Sequence, residues 1–404
     1  MSQPERDRIV NLLVIGQTPP PHVGQALTIQ SIVQAWYPDV RIYHTRMNYS
    51  HSVNEIGRFK ISKAFHLWRV MLESGWKICR YGIEVIYYPP GADTIPIIRD
   101  IITLLWLRLF RRKLILVFHA GGLSQKVASW TGLRRRLFNL AFLYPDAAVQ
   151  KSRLNPPDAD FVRAKKTYYM PNGAVDQLAT VSDSRPENPA PVILFVGMVR
   201  ADKGIDTLVE AAALLQQQNR NFRIRIVGEF ASDQYRQALV RKVAELGLAQ
   251  CIELCGRKVG IEKWTAYRCA DIFCFPTYYG PETFGNVLLE AMMFELPTVS
   301  TRWRAIPDIV VEGETGFLVE IKDAEALSER LARLLDDKHL RVEMGRKGRE
   351  RYLANFTTDI YLQRNREVFL EVAGTPGPRE SLARESGEAL FAEGRAEKNA
   401  SGAV

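Results

Sequence analysis

The sequence predicts an α/β protein built from two doubly wound parallel sheets. Short apolar runs rich in β-branched residues alternate with helical segments along most of the 404 residues. Uninterrupted apolar runs such as Val192–Val196 suit strands that are buried on both faces, as in a parallel sheet. A polar, Pro-rich segment at residues 180–191 breaks the alternation, which then restarts. The pattern therefore predicts two βαβ domains joined by a linker.

The chain is long enough for two domains that each bury a hydrophobic core. We predict an N-terminal domain over residues 1–180, a linker over 181–191 and a C-terminal domain over 192–355. Residues 356–373 are expected to form a helix that can cross back to the N-terminal domain. The tail at 374–404 carries Gly, Pro and alternating charges with few large apolar residues, and this composition favours disorder.

Each predicted strand is a short apolar run bounded by polar or turn residues. The predicted strands are Ile9–Ile15, Val40–Tyr43, Ile83–Tyr88, Leu114–Phe118, Ala147–Gln150, Val192–Val196, Arg223–Val227, Ile252–Leu254, Ile272–Phe275, Thr298–Thr301 and Phe317–Val319. The segments with a helical period are Leu208–Gln218, Tyr235–Leu246, Phe284–Phe294 and Ala324–Asp336.

Lys and Arg are concentrated in the first part of the chain. Residues 1–180 hold 24 basic and 12 acidic side chains, whereas the remainder holds 30 basic and 33 acidic ones. With 47% apolar and 25% charged residues, the composition excludes a disordered chain, a collagen and a disulfide scaffold. The asymmetry indicates that the N-terminal half faces nucleic acid, an acidic substrate or a membrane surface. Because the sequence contains no recognisable nucleic-acid-binding module, we expect no nucleic-acid partner.

Five cysteines lack the spacing of a zinc site. They are Cys79, Cys251, Cys255, Cys269 and Cys274. Free cysteine is often buried, so the sequence predicts buried, reduced thiols and a cytoplasmic location. We expect neither a signal peptide nor a transmembrane helix, because charged residues interrupt both the N-terminus and the most apolar window, 95–110.

A strand, a glycine turn and two cations follow one another at residues 195–204. The segment reads Phe-Val-Gly-Met-Val-Arg-Ala-Asp-Lys-Gly and precedes a helical pattern. A turn between a strand and a helix directs backbone N–H groups at one point, and Arg200 and Lys203 add positive charge there. This arrangement is typical of a phosphate site, although a loop lysine taken alone is more often solvated.

Two glutamates, Glu282 and Glu290, stand eight residues apart around the start of a predicted helix. Eight residues are close to two helical turns, so the carboxylates fall on roughly the same face. They can accept hydrogen bonds from sugar or ribose hydroxyls, and Gly285 and Asn286 can offer backbone N–H groups to an oxygen atom. In isolation, each glutamate is more simply a solvated helix residue.

Further motifs follow in a fixed order along the chain. They are Pro145–Ser152, Pro171–Gly173, Leu296–Val299, Ile306–Asp308 and Thr315–Val319. Together with the two glutamates, this succession resembles the retaining glycosyltransferases of family 4 over about residues 9–372. The resemblance implies the GT-B fold, in which two facing Rossmann-like domains leave a cleft between them. It also implies that a nucleotide-diphosphate sugar is the donor substrate.

The resemblance implies roles for individual residues. Glu282 would contact the donor sugar, Glu290 would bind the ribose, and Lys203 would neutralise the diphosphate. In the N-terminal half, Gly24 ends a glycine loop that approaches the phosphates, and His119 matches a histidine near the acceptor and the reacting carbon. The backbone segment that touches the sugar and the diphosphate comprises Phe284, Gly285, Asn286 and Val287.

Two positions depart from the family pattern. The family usually has an arginine after the first glycine of the phosphate loop, where this chain has Met198, and Arg200 can take its place. Arg304 and Ala305 stand where many members have two glycines. The predicted catalytic residues are Glu282, His119, Arg200 and Lys203. With cations holding the diphosphate, we expect no metal and no other cofactor.

Several of these residues also have structural interpretations. His119 at a strand end can be a packing residue. Gly24 can belong to a Pro-rich turn. Asp158 and Asp160 form an Asp-x-Asp pair, which can bind a metal, but they lie in a Pro-containing polar loop and we do not expect a metal there.

The N-terminal half carries basic amphipathic segments. Between residues 58 and 80, cations interleave with Phe and Trp, and basic runs follow at 111–113 and 134–136. Such segments can lie on anionic lipid, or they can be helices with a solvated charged face. We predict a cytoplasmic, peripheral membrane enzyme that glycosylates a lipid-linked or cell-surface glycan acceptor in polysaccharide, lipopolysaccharide or glycolipid biosynthesis. The alternatives are a soluble glycosyltransferase with a small acceptor and a nucleotide-sugar-binding protein without turnover.

Overall fold

The chain folds into two compact units, each with its own sheet. The computed structural model describes residues 8–20, 24–48, 61–181 and 187–375. Within these ranges, the first unit contains the chain up to Gly173 and again from Thr358, and the second unit contains Ala174–Thr357. The predicted tail lies outside the described residues, apart from its first two.

The first unit is a six-stranded parallel sheet with helices on both faces. Its strands are β1 (Val10–Gly16), β2 (Val40–Arg46), β3 (Val85–Tyr88), β4 (Lys113–Phe118), β5 (Ala147–Gln150) and β6 (Lys166–Tyr169), in the order β2-β1-β3-β4-β5-β6. Its helices are α1 (Gly24–Gln34), α2 (Ile61–Tyr81), α3 (Thr94–Arg108), α4 (Leu123–Val127), α5 (Gly132–Phe142), α6 (Asp158–Phe161) and α14 (Thr358–Ala373).

Alternate residues of β1 face two different hydrophobic cores, because successive side chains of a strand point to opposite faces. Leu13 and Ile15 pack in the core that includes α2, α3 and α5. Leu12 and Val14 pack in the core that includes α1 and α14. The buried residues that α14 adds to the second of these cores are Tyr361, Val368, Phe369 and Leu370. The segment at 358–373 therefore completes one helical layer of the first unit.

The second unit is also a six-stranded parallel sheet. Its strands are β7 (Val192–Val196), β8 (Arg223–Val227), β9 (Ile252–Gly256), β10 (Ile272–Phe275), β11 (Thr298–Thr301) and β12 (Gly316–Val319), in the order β12-β11-β10-β7-β8-β9. Its helices are α7 (Ile205–Gln217), α8 (Asp233–Glu245), α9 (Gly260–Arg268), α10 (Asn286–Met293), α11 (Ile306–Ile309), α12 (Ala324–Asp336) and α13 (Lys338–Asn355). One contiguous core runs through this unit.

The chain passes into the second unit earlier than the predicted linker at 181–191. The N–H of Ala174 already donates to the carbonyl oxygen of Phe356 over 2.9 Å, and the Tyr352 hydroxyl donates to the Ala174 carbonyl oxygen over 2.9 Å. Leu178 then packs against the core of the second unit. The described part of the Pro-rich segment therefore belongs to the second unit, and residues 182–186 lie outside the described residues.

All eleven predicted strands occur in the structure, and the sequence prediction missed β6. The exposure of β6 explains the omission, because only Tyr168 of its four residues is buried and no continuous apolar run marks the strand. The expected burial of the cysteines is correct only for Cys274, whereas Cys79 is exposed on α2. None of the described helices is long and apolar enough to span a bilayer.

Candidate active site

The loops that follow β7 and β10 meet at the carboxyl edge of the second sheet. β7 and β10 are neighbours in this sheet. The chain continues from β7 to β8 on one side of β7, whereas β10 lies on its other side, so the strand order changes direction between β7 and β10. Ligands of doubly wound folds bind in the crevice at such a switch in strand order. The N–H of Tyr278 donates to the Asp202 carbonyl oxygen over 2.9 Å, so the two loops are joined directly.

Gly204 permits the close approach of these loops. Its φ of +79° lies in the left-handed region, and a Cβ at this position would stand 1.9 Å from the Pro276 carbonyl oxygen. A side chain would therefore both strain the backbone and push the loops apart. The loop after β10 is also anchored from the β11 side, since the Trp303 indole donates to the Tyr279 carbonyl oxygen over 3.0 Å.

Lys203 and Glu282 form an ion pair between the two loops. Their Nζ and Oε2 atoms are 2.5 Å apart, and the two side chains are only 14% and 15% exposed. The ammonium group also lies 4.4 Å from the centre of the Tyr279 ring. The pair places a cation and a carboxylate side by side at the carboxyl edge, where a phosphate and a sugar hydroxyl would each find a suitable partner.

Arg200 lies beside the same aromatic ring. Its guanidinium is 4.9 Å from the centre of the Tyr279 ring, and it pairs with Asp202 over 2.5 Å. The loop therefore presents two cations around one tyrosine, Arg200 and Lys203. That Arg200 supplies the charge missing at Met198 stays a prediction.

Glu290 is held by two residues of α9. Its Oε1 lies 2.5 Å from Nζ of Lys263, and its Oε2 accepts a hydrogen bond from the Tyr267 hydroxyl over 2.7 Å. Burial, reinforced by the neighbouring carboxylate, raises the pKa of Tyr267 well above its usual value, so the phenol stays protonated and donates. Glu282 and Glu290 thus have separate partners, although the sequence places them on one face.

The helix α10 begins between the two glutamates. Gly285 precedes it with a φ of +75°, and Asn286 is its first residue, two residues later than the start predicted at Phe284. The Phe284 side chain is buried against Phe356, so this residue can meet a ligand only through its backbone. Val287 lies in the first turn, where the free N–H groups and the helix dipole favour anions.

His119 directly follows β4 in the first unit, at the carboxyl edge of that sheet. Its Nε2 lies 3.1 Å from the Tyr87 hydroxyl. Burial, with a further contribution from the charge of Lys151, lowers the pKa of His119 well below its usual value. The imidazole is therefore neutral at pH 7 and can accept or donate one proton through either nitrogen, as the tautomer dictates.

Lys151 directly follows β5, and sequence reasoning did not single it out. Its side chain is fully buried, and Nζ has no hydrogen-bond partner among the described residues. The amine lies 5.3 Å from the centre of the Tyr361 ring, and burial lowers its pKa to about 7. A buried, partly protonated amine close to His119 can pair with an anionic group that enters this edge of the sheet.

Two buried carboxylates fix the loops around His119 and Tyr88. Asp158 accepts from the N–H groups of Gly122 and Ser124 over 2.8 and 2.7 Å. Asp100 accepts from the Tyr88 hydroxyl and the Gly91 N–H, each over 2.7 Å. These bonds give Asp158 a structural role in the loop after β4. Among the described residues, no group of three or more His, Cys, Asp and Glu side chains has the arrangement of a metal site.

The structure describes the two ends of the glycine loop in the first unit, residues 16–20 and Gly24. Gly24 is the exposed first residue of α1, and residues 21–23 lie outside the described residues. The loop is tied to the end of β2, because the N–H of Met47 donates to the Gly16 carbonyl oxygen over 2.9 Å and the Arg46 guanidinium donates to the Pro19 carbonyl oxygen over 2.7 Å. Of the predicted site residues, Gly24 and His119 belong to the first unit and all the others to the second.

Comparison with known proteins assigns a fold to this arrangement. The chain resembles sucrose-phosphate synthase from Thermosynechococcus elongatus with a TM-score of 0.67 and 19% identity, over 90% of this chain and 99% of that one. It resembles HepE from Anabaena, solved in complex with UDP and glucose, with a TM-score of 0.65 and 16% identity, over 88% of this chain and 98% of that one. The predicted fold class, α/β of the GT-B type, is confirmed.

Sequence comparison shows that the second unit is similar to glycosyltransferases. Residues 179–351 match the family described as Glycosyl transferases group 1. The capsular polysaccharide biosynthesis glycosyltransferase CapM of Staphylococcus aureus is 31% identical over 169 residues, which are 42% of this chain and 43% of CapM. A D-inositol 3-phosphate glycosyltransferase of Corynebacterium efficiens is 36% identical over 171 residues, 42% of this chain and 40% of that protein. The matched region thus spans less than half of each relative.

Proposed function

We propose that the protein is a retaining glycosyltransferase of family 4 that uses a nucleotide-diphosphate sugar as donor. The observation that carries this proposal is the pair of anchored glutamates around the start of α10, Glu282 with Lys203 and Glu290 with Lys263 and Tyr267. They lie at the carboxyl edge of the second sheet, inside the region that matches the glycosyltransferase family. HepE from Anabaena, which has this fold, was also solved in complex with UDP-glucose, and this adds support.

The residues of the second unit can stabilise the departing diphosphate. Negative charge grows on this group as the bond to the sugar breaks, and preorganised cations and N–H groups stabilise such charge where it develops. Lys203, Arg200 and the first turn of α10 are the proposed donors. Glu282 accepts hydrogen bonds from the sugar hydroxyls, and Glu290, oriented by Tyr267, accepts them from the ribose.

Two cations and a helix start are sufficient to hold the diphosphate in this proposal, so it requires no metal ion. In a retaining transfer of this kind the acceptor hydroxyl attacks from the face that the diphosphate leaves. A diphosphate oxygen takes the acceptor proton. His119 is neutral and can orient the acceptor or the sugar by a hydrogen bond, and Gly24 lies on the loop that we expect to approach the phosphates.

The proposed acceptor is a lipid-linked or cell-surface glycan at the inner face of the plasma membrane. The surface of α2 supports this part of the proposal. Large apolar side chains at i, i+3, i+7 and i+11 are exposed along this helix, a pattern typical of helices that lie on a membrane. They are Phe65, Trp68, Leu72 and Trp76. Exposed arginines, Arg69 and Arg80, accompany the stripe.

A soluble enzyme with a small phosphorylated acceptor is the second candidate. The names of the corynebacterial relatives, D-inositol 3-phosphate glycosyltransferases, favour it. The buried amine of Lys151 beside His119 would suit an anionic acceptor of either kind. Retention of the protein on anionic vesicles, together with transfer to a lipid-linked acceptor, would separate the first candidate from the second.

A thermal-shift panel with UDP, GDP, ADP and their sugar conjugates tests the donor site. A ligand at 100 times its dissociation constant stabilises the folded protein by about 2.7 kcal/mol, which is visible as a shift in melting temperature. We expect one nucleotide to stabilise the wild type and the Glu290→Gln variant to lose most of this shift. Glu329→Gln, an exposed glutamate of α12, is the matched control and should keep it.

Absence of a shift with every nucleotide would overturn the proposed donor site. A shift without turnover or donor hydrolysis would instead favour a binding protein that lacks catalysis. Retention is tested separately by the anomeric coupling constant in the proton NMR spectrum of the first product, which should report the anomeric configuration of the donor sugar.

A further inference from the structure

A cationic cavity lies at the amino-terminal edge of the first sheet. Its volume is about 380 Å³, and the starts of β3 and β4 and the residues just before β5 and β6 contribute to its wall. Because the strands are parallel, this edge is opposite the one that carries His119. The cavity is therefore separate from the acceptor side of the candidate active site.

The cavity has an excess of positive charge. Five cations and one carboxylate line it, namely Arg108, Arg111, Arg112, Lys113, Lys165 and Asp146. Asp146 already lies 2.8 Å from Nζ of Lys165 and 3.8 Å from that of Lys113. Among the described residues, Arg111 and Arg112 have no ion-pair partner.

Arg108 adds a charge that no carboxylate balances at contact distance. Its guanidinium donates to the carbonyl oxygens of Ala141 and Leu143 over 2.7 and 2.6 Å, which fixes the side chain without neutralising it. Arginine carries its charge at all ordinary pH values and binds phosphate oxygens in a planar, two-pronged geometry, which the exposed Arg111 and Arg112 can supply beside the charge of Arg108. The wall of the cavity thus suits a phosphate group.

An exposed apolar residue lies next to the lining residues in the chain. Leu109, between Arg108 and Arg111 in the chain, is 71% exposed. It continues a stripe of exposed residues along α3, with Ile95, Ile98 and Ile102 at i, i+3 and i+7. A soluble phosphate compound would not need this stripe, whereas a lipid presents its phosphate next to apolar chains.

Two lining residues have an uncommon backbone conformation. Arg111 and Tyr144 have φ values of +51° and +59°, in the left-handed region that residues with a Cβ rarely adopt. Such conformations persist where the surrounding structure enforces them, and they cluster at ligand sites. Here they turn the chain at two points of the cavity wall.

We propose that this cavity binds the phosphate of an anionic phospholipid headgroup while Leu109 and the α3 stripe contact the acyl region of the same bilayer. The inference deepens the proposed membrane association by naming its headgroup site, and it does not depend on which nucleotide sugar is the donor. The helices α2, α3 and α5 share one core on the same face of the sheet, so the exposed stripes of α2 and α3 lie on one side of the unit.

Vesicle sedimentation tests the proposal on the full-length protein. The vesicles contain equimolar phosphatidylcholine and phosphatidylglycerol, with pure phosphatidylcholine as the neutral comparison. Each cation near an anionic surface contributes about fivefold to binding, so Arg111→Gln/Arg112→Gln should weaken partitioning to the anionic vesicles by about 25-fold. The charge-matched control is Arg41→Gln/Lys126→Gln, two exposed cations of the same unit that do not line the cavity.

A much smaller loss in the control than in the cavity variant supports the proposal. Equal losses in both variants would overturn it, because they would mean that only the overall charge matters. Unchanged partitioning of the cavity variant, or no binding of the wild type to anionic vesicles, would also overturn it. Calorimetry with inorganic phosphate and glycerol 3-phosphate provides the soluble arm, and tight binding there without vesicle binding would contradict the lipid assignment.

Two measurements distinguish a defect in the cavity from a defect in folding or in the proposed donor site. The melting temperature of the cavity variant should match that of the wild type, since both substituted arginines are exposed. Its shift with the donor nucleotide should also be unchanged. A variant that loses vesicle binding but keeps the nucleotide shift locates the defect in the cavity.

Discussion

The ionisation of Lys151 is coupled to the stability of the folded protein. Its pKa is about 7 in the folded protein and 10.5 in an exposed lysine, so the unfolded chain binds more protons between these values. The free energy of unfolding should therefore rise with pH from about 7 to 10.5. Lys151→Met removes the pH dependence of the free energy of unfolding that comes from this amine. Because it also removes the cost of burying the amine, it should stabilise the protein at pH 7 by roughly 2–4 kcal/mol.

Urea unfolding at pH 7 and pH 9.5 measures both effects. Lys126→Met, an exposed lysine of α4, is the control and should change neither the stability nor its pH dependence. Equal stability of Lys151→Met and wild type at pH 7 would mean that the buried amine acquires a counter-charge in solution.

Lys203 should matter for turnover more than for folding. Loss of one preorganised group that stabilises developing charge lowers kcat by about 10²–10³. We expect Lys203→Ala to show a decrease of this size in a donor-hydrolysis or transfer assay. Lys242→Ala removes a lysine that pairs with Glu210 on the surface of the same unit and should have little effect. A decrease below tenfold would argue against contact between Lys203 and the diphosphate.

The sequence identifies some residues of the candidate site better than others. Glu282, Glu290 and Lys203 are recognisable because they occur in motifs with fixed spacing. Their neighbours Lys263 and Tyr267 are not, because their role depends on how α9 packs beside α10. Lys151 escaped notice for a similar reason. A lysine after a strand is normally solvated, and only the tertiary structure shows that helix α14 covers it with Tyr361.

At the scale of elements, the exposed apolar stripe of α2 predicts that this helix contacts the membrane. Trp76 is 56% exposed in the apolar stripe, whereas Trp36, which follows α1, is 84% exposed outside it. An exposed tryptophan that enters a membrane interface loses its contribution when replaced by a polar residue. Trp76→Gln should reduce vesicle binding severalfold, and Trp36→Gln should not.

Sedimentation with phosphatidylglycerol-containing vesicles compares these two variants. A similar reduction in both would mean that membrane contact is not confined to α2. Trp76 fluorescence offers a second observable, since the emission maximum of a tryptophan that enters the bilayer moves to shorter wavelength.

The strands that the sequence predicts most clearly are those in which every residue is buried. Strands such as β7 and β10 are buried at every position and appear in the sequence as apolar runs. The edge strand β6 contains Lys, Thr and two Tyr residues and has no such run. The boundary between the units was misplaced because a Pro-rich segment resembles a linker even when its first residues pack on one unit.

At the scale of the whole molecule, the first unit depends on a distant segment of the chain. Phe369 of α14 is buried and lies within 6.3 Å of the ring centres of Tyr37 and Tyr87. Phe369→Ala should destabilise the first unit by about 3–5 kcal/mol, as expected for a buried aromatic residue. The core of the second unit does not include Phe369, so the donor-nucleotide shift should persist.

Thermal unfolding with and without the nucleotide checks this expectation. Leu353→Ala, at an exposed position of α13, should leave the melting temperature almost unchanged. Loss of nucleotide binding in Phe369→Ala at a temperature where the protein is still folded would mean that nucleotide binding also depends on the first unit, which contains Gly24.

The return of α14 to the first unit also sets the order of events during synthesis. The ribosome makes residues 174–357 in full before it makes 358–373, so all strands of the second unit emerge while the first sheet still has one face incompletely covered. Domains generally fold as units as they leave the ribosome. In this protein the half that is translated first is therefore the half that is completed last, and its sheet keeps apolar surface exposed until α14 has been made.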